Sequence, residues 1–343
     1  MANHLTMAQA EKIKLEIDRT LIDGFIAVSL RFQIQEFSAG FAIELLGSDR
    51  MQWIKPFTYQ EVRIYYDQEL LITGRIEKVS RTNAKTLQIE GRSLPALLID
   101  TMLKPPLQFH DMTLETLVKE VAKPFNIEVR SEVTVLANYP KITASIGTTI
   151  FAFMNCVAEN DNILMTSDPN GDIMIQHYKF DGIHKRLIAG EDGYLDANIS
   201  FDGSDRFSSL TLMAQSEEDL ELTYTIEDPS ISLYRPLVEV AEASDLATLE
   251  NIAKRRLTLS IAKSITLTLK LLGWQQSDIE SRLLRVGDMI QIQDTSLNLP
   301  KLTTFVIEGL TLGMSSGDLS MDLSLAIPNL YTGEPLEGEM PWQ

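Results

Sequence analysis

The chain of 343 residues is long enough for two or three domains with real hydrophobic cores, and 44% of its residues are hydrophobic. Its 48 acidic side chains outnumber 30 Lys and Arg, which leaves a formal net charge of -18. This charge excludes a globally basic nucleic-acid clamp and disfavours docking on anionic lipid. Since no apolar run reaches the ~18 residues of a membrane span, we expect no membrane insertion. Met1 to Glu11 lacks a secretory pattern, and the single Cys156 excludes an internal disulfide, which together favour folding in a reducing cytoplasm.

Strand patterns dominate the first hundred residues. β-like runs are predicted over 13–46, including 25–34 and 41–46, and further strands over 61–65, 70–79 and 86–90, with turns at 67–68 and 83–84. A short helix is expected over 94–101, where Pro95 is tolerated in the first turn. Closely spaced short strands of this kind are typical of a small barrel or sandwich.

The pattern changes after Lys104-Pro105-Pro106. A helix is predicted over 113–123 because Leu114, Leu117, Val118 and Val121 recur at helical spacing, with Thr113 as its N-cap and Pro124 as its stop. We further expect an extended stretch over 127–129, a helix over 148–159, and strands over 163–166 and 172–175 around a turn at 168–171. This segment is interpreted as a small α+β domain.

Strands return in the last part of the chain. They are predicted over 195–201, 207–213, 220–226, 265–271, 289–293, 303–312 and 319–325. A long helix over 244–262 interrupts them, with Ser244 expected as its N-cap and Lys254-Arg255-Arg256 on a solvated face. The end of the chain, from residue 334, is rich in Pro, Gly and Glu, which is typical of a loose tail.

Two sets of three predicted strands form a weak internal repeat. The strands at 61–64, 72–76 and 86–90 resemble those at 288–292, 306–310 and 319–325, each set opening on an acidic residue. The repeat suggests two barrels of one kind in a mainly β chain with α+β parts. The predicted domains are an arm (1–12), a first β-barrel (13–103), an α+β domain (104–180), a second β-barrel (181–227 and 264–327), a helical insertion (228–263) and a flexible tail (328–343).

None of the catalytic or metal-binding motifs suggested by the sequence has the neighbouring elements or ligands that its chemistry requires. Gly313 to Gly317 fits G-x-S-x-G, but strands flank it and no His follows, so a hairpin tip is expected. The four His residues lack metal-ligand spacing, and the segment from Asp168 departs from a calcium loop at Ile173 and Lys179. We therefore predict no catalytic residue, no metal site and no cofactor. Cys156 is expected to be buried, and Trp53, Tyr65 and Tyr66 are expected to pack inside a barrel.

Several strings, taken in order, resemble the baseplate hub (tail) protein of Mu-like contractile-tailed phages. They are Gly91-Arg92 with Leu98-Ile99-Asp100, Leu164 to Ser167, Asp205-Arg206-Phe207-Ser208, Tyr234-Arg235-Pro236, Arg255 to Leu257 leading through Ser264 to Gly273-Trp274, and Val286-Gly287-Asp288. The final Pro341-Trp342 is also similar. The chain departs from the family at Ser93 and Leu97, where more polar residues are expected.

The resemblance implies a fold related to other tail hubs and to the base of type VI secretion spikes. It implies a homotrimer in which two barrels per chain form a ring of six similar units. Such a ring would adapt a sixfold tail tube to a threefold central spike, contact other baseplate proteins and let DNA pass without specific binding. The expected location is the virion tail baseplate, after synthesis in the bacterial host cytoplasm. Gly91, Arg92, Asp100, Asp205, Arg206, Phe207, Tyr234, Arg235, Pro236, Gly273 and Trp274 are then structural motif residues.

Two other classes of function stay open at this point. A tail-associated peptidoglycan hydrolase would need a carboxylate with a raised pKa in a cleft, and 48 acidic residues guarantee some close pairs. A soluble carbohydrate-binding β protein would need solvent-facing aromatic side chains, although the chain has three Trp, of which Trp274 ends an amphipathic strand. A last hypothesis follows from the charge: acidic side chains lining the ring would repel passing DNA.

Overall fold

A computed structural model describes residues 10–22, 24–46, 51–82, 85–134, 137–160, 163–190, 194–215 and 221–334. The chain is mainly β with few helices, as predicted. It divides into two compact units. The first unit comprises residues 1–179, 270–287 and 308–323, and the second comprises 180–269, 288–307 and 324–343.

The strands are β1 Ile13–Ile17, β2 Thr20–Ile22, β3 Phe25–Gln33, β4 Gly40–Leu46, β5 Glu61–Tyr66, β6 Glu69–Thr82, β7 Thr86–Ser93, β8 Gln108–Thr113, β9 Val129–Ser131, β10 Asn138–Thr143, β11 Leu164–Ser167, β12 Ile173–Gln176, β13 Ile183–Ile188, β14 Tyr194–Phe201, β15 Ser209–Gln215, β16 Glu221–Glu227, β17 Pro236–Val240, β18 Ile265–Leu272, β19 Met289–Asp294, β20 Leu299–Ser315 and β21 Asp318–Ala326. The helices are α1 Ala96–Asp100, α2 Leu114–Ala122, α3 Ile150–Asn160, α4 Leu246–Lys263 and α5 Asn329–Thr332.

An antiparallel sheet in the order β3-β4-β7-β6-β5-β1-β2 forms the first unit, and β20 pairs with β3 from Gly309 onward. Strands β1, β4, β5 and β7 alternate between buried and more exposed residues, as β5 does with Val62, Ile64 and Tyr66 inside, whereas β6 has four consecutive buried residues at 71–74. This alternation gives the sheet one apolar face and one polar face. The predicted turn at 67–68 joins β5 to β6, whereas 83–84 lies outside the described residues.

A second core in the first unit surrounds α2 and α3. Thr113 caps α2 through a reciprocal hydrogen-bond pair with Thr116, and Pro124 lies in a short 3-10 turn beyond the helix, as predicted. The buried side chains of α2 are Leu114, Leu117, Val118, Val121 and Ala122. The antiparallel hairpin β11–β12 also forms as predicted, and β9 adds to it in parallel.

The second unit contains two groups of strands. β19 pairs with β13 in parallel and with β20 in antiparallel orientation, while β14 pairs with β18. A separate small sheet has the order β16-β15-β17, with β17 parallel to β15. Leu210, Leu212 and Ala214 of β15 form a core with Leu249 and Ala253 of α4. One face of this small sheet is therefore covered by α4.

Several predictions about local structure are wrong. Cys156 is exposed because the apolar stripe of α3 runs through Ile150, Phe153, Met154 and Val157. Trp53 is also exposed rather than packed in a barrel. The N-cap of α4 is Asp245, whose carboxylate accepts a hydrogen bond from the Thr248 amide at 2.8 Å, rather than Ser244.

Four strands lack a sequence signal and were not predicted: β8, β10, β13 and β17. By contrast, β18 alternates strictly between buried and exposed residues along its length, as expected. The G-x-S-x-G string is a hairpin turn between β20 and β21, with positive φ at Ser316 and Gly317, which confirms the prediction.

Candidate interaction surfaces

Gly91 allows an unusually close approach of β7 to its neighbours in the first unit. A Cβ atom at this position would lie 1.9 Å from the Arg75 carbonyl oxygen and 2.6 Å from Cζ of Phe41. Gly74 on β6 also has no room for a side chain, since a Cβ atom there would lie 2.3 Å from the Arg92 carbonyl oxygen. The buried ring of Phe41 occupies the space that these two glycines leave.

Arg92 follows Gly91 and projects to the polar face of the sheet. Its guanidinium donates two hydrogen bonds to Glu77, both at 2.8 Å, and a further one to Asp100 at the end of α1. Hydrogen bonds to Glu77 first and Asp100 second raise the pKa of Arg92. Because all three groups are partly exposed, the pairs contribute little energy. The Arg92–Asp100 pair orients α1 against the sheet. The string Gly91-Arg92 and the string Leu98-Ile99-Asp100 are therefore in contact, as the resemblance suggested.

An open pocket of about 730 Å³ lies beside Arg92. Aromatic side chains line it, and its rim carries three ion pairs, which are Arg31–Glu36, Lys78–Glu90 and Arg92–Glu77. Since the charges on the rim balance, the pocket has no net preference for an anionic or a cationic ligand.

Arg206 forms the core of a polar cluster in the second unit. Its guanidinium donates to Asp228 at 2.5 Å and to the Ser230 hydroxyl at 2.8 Å, and it lies 3.4 Å from the Ser264 hydroxyl at the end of α4. Arg206 and Asp228 are both buried. Burial alone would raise the pKa of Asp228, but hydrogen bonds from Ser230 and Arg206 outweigh it and lower that pKa. The neighbouring Phe207 lies in the apolar core with Leu210.

Arg235 joins a second predicted string to this cluster. Its side chain donates to the carbonyl oxygens of Gly203, at 3.1 Å, and of Ser204. Its backbone amide donates to the Ser208 hydroxyl at 2.9 Å, and its carbonyl accepts from the Ser208 amide at 2.9 Å. The strings 205–208 and 234–236 therefore form one structural unit, although Asp205, Tyr234 and Pro236 are exposed.

Trp274 is buried in the first unit, as predicted. Its indole Nε1 donates to the Gly313 carbonyl oxygen at 3.0 Å, and its ring lies 5.2 Å from that of Tyr66. Tyr66 is itself buried, which confirms its expected packing role. Gly273 precedes Trp274 with a φ of 72°, a left-handed conformation that glycine adopts without strain.

A close carboxylate pair occurs at the turn between β11 and β12. Asp172 is 2.7 Å from Arg130, and the Asp168 carboxylate accepts from the Asp172 amide at 2.9 Å. Burial raises the pKa of Asp172, with repulsion from Asp168 as the next cause. These contacts stabilise the predicted turn, because Asp168 caps the amide and Arg130 bridges both carboxylates.

Groups of side chains suited to a metal ion, with three or more His, Cys, Asp or Glu together, do not occur in the described parts of the chain. Nor does any described helix have the length and apolar character needed to cross a membrane.

The loop of residues 51–60 between β4 and β5 is a surface feature that the sequence does not predict. Trp53, Phe57 and Tyr59 are exposed there, and Phe57 and Tyr59 have positive φ values of 63° and 50°. The only available signal was the clustering of three aromatic residues within seven positions.

This fold, a mainly β chain of two units with a small α+β core, is that of phage tail proteins and of proteins related to the type VI secretion spike. Residues 96–177 match the sequence model of the second domain of the baseplate hub protein gp44-like family. The family resemblance drawn from the sequence is therefore confirmed.

Solved structures similar in fold cover nearly the whole chain. The 43 kDa tail protein of prophage MuSo2 from Shewanella oneidensis has a TM-score of 0.78 and 21% identity, over 93% of this chain and 98% of that one. The tail protein from Neisseria meningitidis MC58 has a TM-score of 0.74 and 19% identity, over 94% and 98%. An E. coli component of the type VI secretion system, c3393, has a TM-score of 0.57 and 13% identity, over 91% and 76%. No curated protein matches the chain in sequence.

Proposed function

We propose that this chain is the structural hub of a contractile phage tail baseplate, a trimeric ring that adapts a sixfold tail tube to a threefold spike. The observation that carries the proposal is the likeness in fold to the MuSo2 tail protein along almost the full length of both chains. The match of residues 96–177 to a baseplate hub domain supports it independently. The expected partners are two further copies of the chain, the central spike protein, the tail tube and other baseplate proteins.

Two similar barrels per chain would give such a trimer six related units. In the first unit β5, β6 and β7 are consecutive antiparallel neighbours, and in the second unit β19 pairs with β20 in the same sense. We keep the proposed barrels at 13–103 and at 181–227 with 264–327, with the correction that β15 and β16 form a separate small sheet with β17 of the insertion. The α+β segment 104–180 and the insertion 228–263 would buttress the ring, with an arm at 1–12. The tail predicted at 328–343 starts later than expected, because Asn329–Thr332 form helix α5 with Tyr331 buried. Residues 335–343 of the tail lie outside the described residues.

The proposed role is passive and involves no reaction. The motif residues Arg92, Arg206 and Trp274 each hold structural elements together through the contacts described above. Asp172, a carboxylate of raised pKa, is engaged by Arg130 in a turn. A peptidoglycan zymogram tests this part: we expect no clearing, and clearing that disappears in Asp172→Asn would establish a hydrolase.

DNA would pass through the ring without being retained. The net charge of -18 supports this role, because an acidic surface releases no counterions on contact with phosphate and repels the backbone. We propose that carboxylates predominate on the inner face. In a gel-shift assay at low salt the assembled protein should leave duplex DNA unshifted, whereas retention of DNA would contradict an acidic lining.

Deletion of the gene in a lysogenic host tests the proposed function directly. Induced cells should yield no tails with baseplates in electron micrographs, and expression of the full chain should restore them. Purified virions should contain the protein at the baseplate end when labelled with a specific antibody. Normal tails in the deletion strain would refute the proposal.

A further inference from the structure

The last described residues of the chain lie beside helix α4 in the second unit. Helix α5 ends at Thr332, and Gly333 follows it in the left-handed conformation with a φ of 66°. A Cβ atom at Gly333 would lie 2.9 Å from Nε of Arg255, so the Arg255 side chain rests against the backbone just before residue 334. Residues 335–343 therefore begin within reach of α4.

The second half of α4, residues 255–263, carries three cations and no carboxylate, in contrast to the acidic chain as a whole. One of them, Arg256, lies 3.7 Å from Glu239. The other two, Arg255 and Lys263, are exposed, and neither forms an ion pair with a residue that the structure describes. Two cations of this helix can therefore receive an acidic segment.

These two cations and the leucine between them form one surface, called here the α4 stripe and comprising Arg255, Leu259 and Lys263. Residues four apart are neighbours on a helix surface, so Leu259 adjoins both cations. Leu259 is only partly buried and leaves apolar surface between them. At a rise of 1.5 Å per residue, the two cations are about 12 Å apart along the helix axis. The α4 stripe thus favours a partner that is both acidic and apolar.

The segment that begins beside the α4 stripe has the complementary composition. Residues 334–343 contain three Glu, one Leu, one Met and one Trp, and no Lys or Arg. An extended chain advances about 3.3 Å per residue, so Glu337 and Glu339 can lie up to roughly 10 and 17 Å from Glu334. These reaches bracket the length of the stripe. The carboxylates can therefore meet Lys263 as well as Arg255.

We propose that residues 335–343 lie along the α4 stripe of the same chain, with Glu337 and Glu339 paired to its cations. The connection to the helix is short, which gives the segment a high effective concentration at the stripe. Each exposed ion pair contributes little by itself, and the intramolecular connection makes such a weak contact sufficient. The inference goes beyond the proposed function, because the contact needs one chain and no ring.

Cleavage of the full chain by chymotrypsin after Leu336, followed by mass spectrometry, measures the contact. The protease acts on the undocked segment, so the rate follows the undocked population. Arg255→Glu with Lys263→Glu should speed this cleavage about fivefold through loss of two exposed ion pairs, with an unchanged circular dichroism spectrum. The control Lys141→Glu reverses an exposed cation of the first unit and should keep the wild-type rate.

A charge swap gives the sharpest outcome. Glu337→Lys with Glu339→Lys should also speed cleavage, and all four substitutions together should restore slow cleavage, because opposite charges then face each other again. Each rate is divided by that of a free peptide of residues 334–343 with the same sequence, which removes direct effects of the substitutions on the protease. Equal rates in wild type and the helix variant, or a swap that restores no protection, would overturn the proposal.

Dilution identifies the copy whose helix is covered. A contact within one chain gives a cleavage rate that does not depend on protein concentration, and light scattering at the same concentrations gives the mass of the particle. Protection that is lost as a larger particle dissociates would place the segment on another copy's helix and overturn the proposal. A wild-type single chain with slow cleavage would support the contact and contradict the proposed ring, so the two inferences fail separately.

Discussion

Removal of the buried cation Arg206 should destabilise the second unit strongly. In Arg206→Met, the carboxylate of Asp228 keeps its hydrogen bonds from the Ser230 amide and hydroxyl, at 3.0 and 2.6 Å, but loses its counter-charge. Breaking a buried ion pair by removing one partner costs about 3–5 kcal/mol. We expect a value of about 3 kcal/mol, because Ser230 still compensates part of the charge. For a unit of this size the thermal midpoint should fall by roughly 6–12 °C.

The pH dependence has a defined sign. The folded-state pKa of Asp228 is lowered, so the stability that its carboxylate contributes is present above the unfolded-state pKa and lost as the pH falls through the folded one. In Arg206→Met the Asp228 carboxylate has no cationic partner, so protonation removes a buried, uncompensated negative charge. The difference in free energy of unfolding between wild type and this variant should therefore shrink as the pH is lowered toward about 4.

Urea unfolding followed by circular dichroism measures these free energies. Arg206→Met combined with Asp228→Asn should be less destabilised than the sum of the two single variants, by about 1–3 kcal/mol, because the double variant buries no unpaired charge. Lys254→Ala on the exposed face of α4 serves as the control and should match wild type. A loss below about 0.5 kcal/mol in Arg206→Met, or full additivity, would contradict the structural role assigned to the pair.

Three further predictions concern single positions. Gly91→Ala should lower the thermal midpoint and release Phe41 from the core, which near-ultraviolet dichroism would detect; an unchanged spectrum and midpoint would argue against the close approach. Trp274→Ala should cost about 3–5 kcal/mol in urea unfolding through the cavity it leaves and the orphaned Gly313 carbonyl, and a cost under 1 kcal/mol would exclude its buried placement. Cys156 should react with Ellman's reagent in the native protein, at one thiol per chain, and protection until denaturant is added would show that it is buried.

Local rules predicted the elements that carry their own signals. The strict alternation of β18 and the cap and stop residues of α2 determine those elements largely without tertiary contacts. β17 is different, because Pro236–Val240 has no alternation of burial and forms a strand by pairing in parallel with β15. β13 likewise depends on β19, a partner about a hundred residues away. Such pairing energy is not encoded in the strand's own sequence.

The motif residues were found through family resemblance, and their contacts only through the structure. Arg206 and Arg235 are spaced nearly thirty residues apart, and no local pattern indicates that both hold the segment 203–208. Cys156 was misplaced because its apolar neighbours in sequence lie on another face of α3. The exposure of Trp53, Phe57 and Tyr59 has no local signal, because it depends on the tertiary placement of their loop, in which Ile54 is fully buried.

End-on electron micrographs of the purified chain test the central claim most directly. A trimeric ring should give class averages with threefold symmetry, six similar lobes and an open centre. Single chains, twofold dimers or a closed disc without a passage would contradict it.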